Sequence, residues 1–388
     1  MLLANLWSGF FCFIHILIIL NVYLQTMART IPTSFITNLN KRSSIIICDE
    51  EENIYSELPE SGFLFIDKNF YNVNEKKFKT HPILSRFKQF VINPKDLIRS
   101  LNEVAKICKQ FVELGVTRND SIIAIGGKRL IDVYGFAASV YKNGLDFYMI
   151  PSTLLAMTDT AIGGVYHLNA SNFVKEDIKI QSHPLKVLIY PSIAKTTSNE
   201  VFQSGLANMC KLGCLDNMPL LMKLSKAVHF NFDKRTIEND LLADMIDDAL
   251  RTKINLYLAD RSNPGIFGFG DKLAKLYASF CNPTSHYGEA STIGMELTLD
   301  IMQNYYKILG PLNQYQVYQL NCLLRAINPE LDTQIEKSKE KFVNGLVTMK
   351  SDKITLTYFT QLGGIPLIID VDKEVIIEAI KNHKQYTF

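Results

Sequence analysis

The stretch that decides the fold is residues 121–169, SIIAIGGKRLIDVYGFAASVYKNGLDFYMIPSTLLAMTDTAIGGVYHLN. It opens with a short apolar run that ends on Gly126 and Gly127, passes through a helix-like segment around Gly135, and returns to an apolar run over 147–150. A short apolar run between turn residues is typical of a buried strand. Strand, helix and strand in succession predict parallel strands in one sheet.

The same alternation extends outward from this stretch. Further strand-like runs cover 44–48, 62–66 and 187–190, and apolar residues at helical spacing predict a helix over 96–114. After about residue 198 long helical stretches dominate, at 200–212, 241–259 and 293–308. We therefore predict an α/β N-terminal Rossmann-like domain at 28–197, followed by an all-α C-terminal domain at 198–388.

Polar residues and glycines follow the predicted strands at the points where these end. They are Asp67, Gly126, Gly127, Asp132, Ser152, Thr153 and Asp159. In an open α/β sheet, ligands bind beyond the carboxyl ends of the strands, and a helix N-terminus after a glycine turn can hold a phosphate. The pattern predicts a nucleotide crevice. The alternative is that the same residues serve only as turns and helix caps.

Composition limits the classes of partner. The 388 residues carry 41 Lys and Arg against 39 Asp and Glu, a net charge of +2, and no basic run. This balance argues against a nucleic-acid partner. The seven cysteines are scattered and include no C-x-x-C pair. Free thiols in a reducing compartment are the expected state, which predicts a cytoplasmic body.

The N-terminus is unusually apolar. The first charged side chain is Arg29, and residues 10–24 are almost wholly apolar. Residues 1–27 are therefore interpreted as a hydrophobic extension or anchor, long enough to contact or span a bilayer. Three interpretations stay open: a membrane tether, a cleaved signal, and a dispensable extension upstream of Met27.

Three ordered motifs carry a family resemblance. Residues 121–169 resemble the GGG-x-x-x-D-x-x-GF-x-A, PTTLLA-x-x-D-S-x-GGK and VN elements of 3-dehydroquinate synthases. Residues 205–213, GLANMCKLG, resemble GLAEVIKYG, and residues 287–295, YGEASTIGM, resemble HGEAVAIGM. Looser similarity covers roughly 60–375. The chain is identified as a divergent member of this family of sugar phosphate cyclases.

The resemblance implies a Rossmann-like NAD domain followed by a helical domain that holds metal and substrate. In the family reaction, bound NAD oxidises a substrate hydroxyl, phosphate is eliminated, the ketone is reduced and an aldol step closes the ring. A divalent metal, usually zinc, polarises the reacting oxygens. If active, this chain would be a carbon–oxygen lyase. A homodimer is a further expectation, and the sequence does not decide the oligomeric state.

The resemblance assigns most of the cofactor positions. They are Asp67, Asp96, Arg99, Gly126, Gly127, Asp132, Ser152, Thr153 and Asp159. Asp96 is expected to accept a hydrogen bond from a ribose hydroxyl. Lys128 stands where the family has its third glycine, and it either adds a phosphate contact or blocks close backbone approach. These positions predict NAD as the small-molecule partner.

The metal positions depart from the family pattern. The glutamate ligand corresponds to Asn208, and the two histidine ligands correspond to Phe267 and Tyr287, if Asp271 takes the place of the second histidine in GHTFGH. Zinc prefers imidazole, thiolate or carboxylate ligands. We therefore predict no metal at these positions. A displaced site built from Asp271, His286 and Glu289 is the alternative.

The substrate positions are also depleted. The GGK lysine corresponds to Val165, whereas Lys211 and Asn169 keep the family's catalytic positions. We predict a 3-dehydroquinate synthase-like, NAD-binding pseudoenzyme, non-catalytic or altered in activity. Three alternatives remain: an active cyclase or lyase on another substrate, an NAD-dependent polyol or alcohol dehydrogenase, and a structural partner protein without a ligand.

Overall fold

The computed structural model describes residues 29–31, 33, 35–37, 39–160, 162–170, 177–229, 232–259, 264–306, 314–359, 362–364 and 366–383. The strands are β1 (Arg29–Ile31), β2 (Ser44–Ile47), β3 (Phe63–Asp67), β4 (Lys88–Ile92), β5 (Ser121–Gly126), β6 (Asp146–Pro151), β7 (Val165–Leu168), β8 (Ile178–Gln181), β9 (Lys186–Ile189), β10 (Lys353–Phe359) and β11 (Pro366–Asp372). The predicted extension 1–27 lies outside the described residues. Among those described, no helix is both long and apolar enough to cross a bilayer.

The helices alternate with the strands at first and then follow one another. They are α1 (Glu51–Ser56), α2 (Lys68–Thr80), α3 (Leu101–Glu113), α4 (Lys128–Val140), α5 (Pro191–Ala194), α6 (Asn199–Asp216), α7 (Met218–Ala227), α8 (Asn239–Ala259), α9 (Asp271–Phe280), α10 (Tyr287–Ile301), α11 (Gln314–Ile327), α12 (Leu331–Val347) and α13 (Lys373–Asn382). The predicted sequence of an α/β part and a largely helical part is confirmed.

Seven strands form the main sheet, in the order β1-β2-β9-β6-β5-β3-β4. Only β1 runs antiparallel to its neighbour, and the other six strands are parallel. Strands β3 and β5 are buried along their whole length because helices cover both faces of the sheet. The carboxyl ends of β3, β5 and β6 therefore meet at one edge.

Two sequence expectations need correction. The helix predicted over 96–114 begins only at Leu101, because Ser100 adopts an extended conformation and its hydroxyl accepts a hydrogen bond from the Glu103 amide. The C-terminal part is not all-α, since β10 and β11 pair as an antiparallel hairpin. In β10, exposed Lys353 and Thr355 alternate with buried Ile354 and Leu356, which is the two-residue period of a strand.

Candidate functional site

The turn after β5 forms the centre of the crevice. Gly127 is the N-cap of α4, so the first amides of that helix point toward the carboxyl edge of the sheet. A Cβ atom on Gly126 would lie 3.4 Å from Cβ of Asp67, which places the ends of β3 and β5 side by side. Asp67 also caps α2, where it accepts a hydrogen bond of 2.8 Å from the Asn69 amide. Burial raises the pKa of Asp67, although hydrogen bonds from the Asn69 and Phe70 amides oppose the shift.

The end of β6 closes the same turn from the other side. The Ser152 amide donates to the Gly126 carbonyl at 2.9 Å, which ties the two strand ends together. The Thr153 hydroxyl accepts from the Ala156 amide at 3.2 Å, and a Cβ on Gly127 would lie 3.2 Å from Cγ2 of Thr153. The crevice residues predicted from the sequence are therefore brought together. The same residues also form the turn and cap the following helical turn.

An ion-pair network extends from this turn. Asp132 is fully buried on α4 and pairs with Arg99 Nη1 at 3.0 Å and with Lys128 Nζ at 3.4 Å. The Asn169 amide donates to the Arg99 carbonyl at 2.7 Å, which fixes the segment before α3 against the end of β7. Asp96 lies apart from this network: it is exposed and accepts from Asn93 Nδ2 at 2.9 Å.

Asp159 connects the network to the helical part. Its carboxylate accepts from Lys253 Nζ at 2.5 Å and lies 3.8 Å from Lys128 Nζ. Burial would raise the pKa of Asp159, but attraction to Lys253, Lys128 and Lys211 outweighs burial and lowers it. Burial also lowers the pKa of Lys253, against the attraction of Asp159. Asp159 is therefore held as a carboxylate between three ammonium groups.

The helical part contributes a second ionic cluster, formed by Lys211, Asp271 and Tyr287. Lys211 Nζ lies 3.1 Å from both carboxylate oxygens of Asp271 and donates to the Tyr287 hydroxyl at 2.8 Å. Burial lowers the pKa of Lys211, but Asp271, Tyr287 and Asp159 raise it more, so the net shift is upward. Burial raises the pKa of Tyr287 to about 12 although Lys211 opposes the shift. Lys211 is thus an ammonium bound by a carboxylate and a neutral phenol.

The residues at the predicted metal positions do not fit a metal ion. Buried Asn208 donates from Nδ2 to the Thr158 hydroxyl at 3.1 Å, and Tyr287 is occupied with the Lys211 ammonium. Phe267 is half-buried and packs against the hydrophobic core. Zinc prefers imidazole, thiolate or carboxylate ligands, and none of these three side chains supplies one.

The displaced metal site is not assembled either. Asp271 contacts Lys211, Glu289 accepts from Tyr277 at 2.6 Å and from Asn282 at 3.0 Å, and His286 is exposed at the start of α10. Within the described ranges, no three His, Cys, Asp or Glu side chains lie close enough together to hold a metal.

Sequence reasoning missed one lysine of the site, Lys253, and the carboxylate partners of two others, Lys211 and Lys128. Lys253 follows Asp159 by 94 positions, and Asp271 follows Lys211 by 60. The pattern of α8 marks Lys253 only as one polar residue of a helix, and nothing local indicates that its ammonium faces Asp159. Lys128 departs from the glycine pattern of the family, and its two carboxylate partners, Asp132 and Asp159, are visible only in the folded structure.

Gly270 positions Asp271, and its substitution tests that role. Gly270 has a φ of 74°, and a Cβ there would lie 2.6 Å from the Met295 amide nitrogen. We expect Gly270→Ala to lower the free energy of unfolding by about 2–4 kcal/mol, from left-handed strain plus overpacking against α10. Gly115→Ala is the matched control, because Gly115 has a φ of 70° and nothing within 4 Å of the added atom. Urea unfolding of both variants measures the difference, and equal losses would contradict the close contact.

Comparisons with known proteins agree with this geometry. The family model described as 3-dehydroquinate synthase N-terminal matches residues 89–204. The chain is 27% identical over 289 residues to the 3-dehydroquinate synthase of Campylobacter jejuni subsp. doylei, covering 73% of this chain and 81% of that protein. It is 26% identical over 350 residues to the 3-dehydroquinate synthase of Prochlorococcus marinus, covering 87% of this chain and 89% of that protein.

Solved structures share the fold at low sequence identity. A structure of 2-deoxy-scyllo-inosose synthase complexed with carbaglucose-6-phosphate, NAD+ and Co2+ aligns with a TM-score of 0.75 at 16% identity, covering 92% of this chain and 99% of that chain. An NADH-dependent butanol dehydrogenase A from Thermotoga maritima aligns with a TM-score of 0.61 at 10% identity, covering 90% of this chain and 98% of that chain. The sheet and helical part thus define the architecture shared by sugar phosphate cyclases and a group of nicotinamide-linked dehydrogenases. In sequence, the chain is similar to 3-dehydroquinate synthases over most of its length.

Proposed function

We propose that this chain binds NAD in the crevice at the carboxyl ends of β3, β5 and β6. The observation that carries the proposal is the convergence of Asp67, Gly126, Gly127 and Ser152 at one turn, with the N-terminus of α4 beside it. Relatives with this fold have been crystallised with NAD+. Under this proposal residues 28–197 form the cofactor domain, and residues 198–388 form the domain that faces it.

We further propose that the chain does not perform the metal-dependent phosphate elimination of its family. Asn208 and Tyr287 supply neither an anionic nor an imidazole ligand, and both side chains are hydrogen-bonded within the protein. Val165 replaces the lysine of the GGK element. Because both charge stabilisation and phosphate binding are reduced, the family reaction is lost or altered.

Cofactor binding is tested by titrating NAD or NADH and following nucleotide or protein fluorescence. Asp96 lines a cavity with Asn93 and Tyr134, and the family resemblance assigns it a hydrogen bond from a ribose hydroxyl. We therefore expect Asp96→Asn to weaken binding about tenfold or more, because a hydrogen bond to a charged group contributes about 1.5–3 kcal/mol. Glu113→Gln is the matched control, since Glu113 is an exposed carboxylate on α3 whose nearest cation is Lys109 at 3.9 Å. Absence of binding at millimolar NAD by the folded protein would overturn the proposal.

Loss of the family reaction is tested with the heptulosonate phosphate substrate and added zinc or cobalt. Lewis-acid stabilisation by a catalytic metal contributes several kcal/mol, and about 1.4 kcal/mol corresponds to a tenfold rate change. We therefore expect 3-dehydroquinate formation at least about a thousandfold below that of an active relative assayed in parallel. Turnover near that of the relative would contradict the proposal.

Two other functions remain as candidates. A cyclase or lyase acting on a different substrate would need a metal or another electrophile at Lys211. A nicotinamide-linked polyol or alcohol dehydrogenase is favoured by a specific contact, the hydrogen bond between Lys211 and Tyr287.

The described cysteines are free thiols, which supports a reducing compartment for any of these activities. The homodimer stays a prediction.

A further inference from the structure

The Lys211–Tyr287 pair has the geometry of a proton donor. The Lys211 ammonium donates to the Tyr287 oxygen at 2.8 Å, so the phenol's own proton is directed to another acceptor. Asp271 holds the Lys211 ammonium through both of its carboxylate oxygens. These contacts fix the direction from which the ammonium approaches the phenol. If the phenol loses its proton, the phenolate oxygen already lies against a cation.

The pair lies close to Asp159, at the end of the crevice proposed for the cofactor. Asn208, one turn before Lys211 on α6, donates to the hydroxyl of Thr158, the neighbour of Asp159, at 3.1 Å. Asp159 in turn lies 3.8 Å from the ammonium of Lys128, the first residue of α4 and the neighbour of Gly127. Asp159 thereby connects the pair to the phosphate-binding turn.

We propose that Tyr287, supported by Lys211, is the metal-independent proton donor for hydride transfer between a nicotinamide dinucleotide and a carbonyl compound. This rests on the proposed binding of NAD. In the reductive direction, the dihydronicotinamide gives a hydride to the carbonyl carbon and is oxidised. The electron pair of the C=O π bond moves to oxygen, and the Tyr287 hydroxyl gives its proton to that oxygen. The Lys211 ammonium stabilises the phenolate until solvent returns a proton.

The charges around the crevice indicate an uncharged ligand. The described network contains four cations and three carboxylates, namely Arg99, Lys128, Lys211 and Lys253 with Asp132, Asp159 and Asp271. Each of these cations lies within 4 Å of a carboxylate. The surplus is a single positive charge, which the two negative charges of the pyrophosphate of a bound dinucleotide would more than offset. A phosphate ester would have to displace an existing ion pair. A small polyhydroxy ketone, which needs hydrogen bonds and no cation, fits this balance.

The test uses the full chain with NADH and a chelator, and dihydroxyacetone and an inosose as probes. We expect NADH oxidation at a rate that the chelator leaves unchanged. The KM for dihydroxyacetone phosphate should be about tenfold higher than the KM for dihydroxyacetone. Tyr287→Phe should lower kcat about a hundredfold or more, the usual contribution of a general acid, while NADH affinity stays unchanged. Tyr315→Phe, on an exposed side chain of α11, is the matched control.

Three results would overturn this inference: no NADH oxidation with either probe while NADH binds, loss of activity with the chelator, or full activity of Tyr287→Phe. Failure of NADH to bind at all would instead overturn the proposed cofactor function. Lys211→Arg and Lys211→Met add a second readout, because Arg keeps a cation beside the phenol and Met does not. We expect Lys211→Arg to retain more of kcat than Lys211→Met, and equal losses would count against a role for the ammonium.

Discussion

A variant carrying Asn208→Glu, Asp271→His and Tyr287→His is expected to bind zinc tightly, whereas the wild-type protein is expected to carry none after dialysis against a weak chelator. Asn208 and Lys211 lie one turn apart on α6, and Asp271 and Tyr287 begin α9 and α10. Because Asp271 and Tyr287 both contact the Lys211 ammonium, the three substituted positions converge on one place. A carboxylate and two imidazoles would then supply a ligand set that zinc prefers.

The matched control replaces Phe267 instead of Asp271, as Asn208→Glu, Phe267→His and Tyr287→His. Phe267 lies in a short 3-10 helix, Pro264–Phe267, and packs against the core. We expect the Asp271 variant to bind zinc with a Kd below about 1 µM, which corresponds to about 8 kcal/mol, and the Phe267 variant to bind at least about a hundredfold more weakly. Elemental analysis and calorimetric titration measure both. Equal binding by the two variants, or stoichiometric zinc in the wild type, would contradict the assignment.

The residues of the crevice could be predicted because each directly follows an apolar run that indicates a strand. Gly126 and Gly127 follow an apolar run, and Asp67 and Ser152 directly follow two others, so local pattern alone places them at strand ends. Parallel strands present their carboxyl ends on one edge, which brings these residues together without knowledge of any side-chain contact. The structure confirms this arrangement at β3, β5 and β6.

The ionic contacts could not be predicted in the same way, because they join residues far apart in the chain. Lys253 on α8 meets Asp159 only after the helical part has packed against the sheet. The metal positions show a related difficulty. The repeated Gly and Phe in 265–271 favour Phe267 by pattern. The structure instead places Asp271 against the Lys211 ammonium, which also donates to Tyr287. A short motif gives residue types, and only packing decides which side chain reaches the site.

A second large effect is expected at a buried ion pair away from the crevice. Arg325 donates to Glu296 at 3.1 Å, and the two side chains are only 6% and 2% exposed. Arg325 also pairs with Asp332 at 2.6 Å. We expect Arg325→Met to lower the free energy of unfolding by about 3–5 kcal/mol, because it leaves the Glu296 carboxylate buried without its cation. Arg251→Met is the matched control: Arg251 pairs with Asp247 at 2.8 Å but is 50% exposed, so a loss of about 0.5 kcal/mol is expected.

The loss in Arg325→Met should also depend on pH. Burial raises the pKa of Glu296, and attraction to Arg325 lowers it, with a net upward shift in the wild type. Removing Arg325 removes the opposing attraction, so the pKa of Glu296 rises further. A carboxyl group whose pKa is higher in the folded state favours folding below its unfolded pKa, and that contribution is lost as pH rises through the folded pKa. The deficit of Arg325→Met relative to wild type should therefore be smaller near pH 5 than near pH 8.

Urea unfolding at both pH values measures this dependence, and Arg325→Met combined with Glu296→Gln separates its cause. The neutral amide removes the buried charge, so the double variant should recover part of the stability at high pH and lose the pH dependence. A deficit as small as that of Arg251→Met, or one that grows toward acid pH, would show that the Glu296 carboxylate is compensated by other groups. His383 is one such group, because its positive charge lowers the pKa of Glu296.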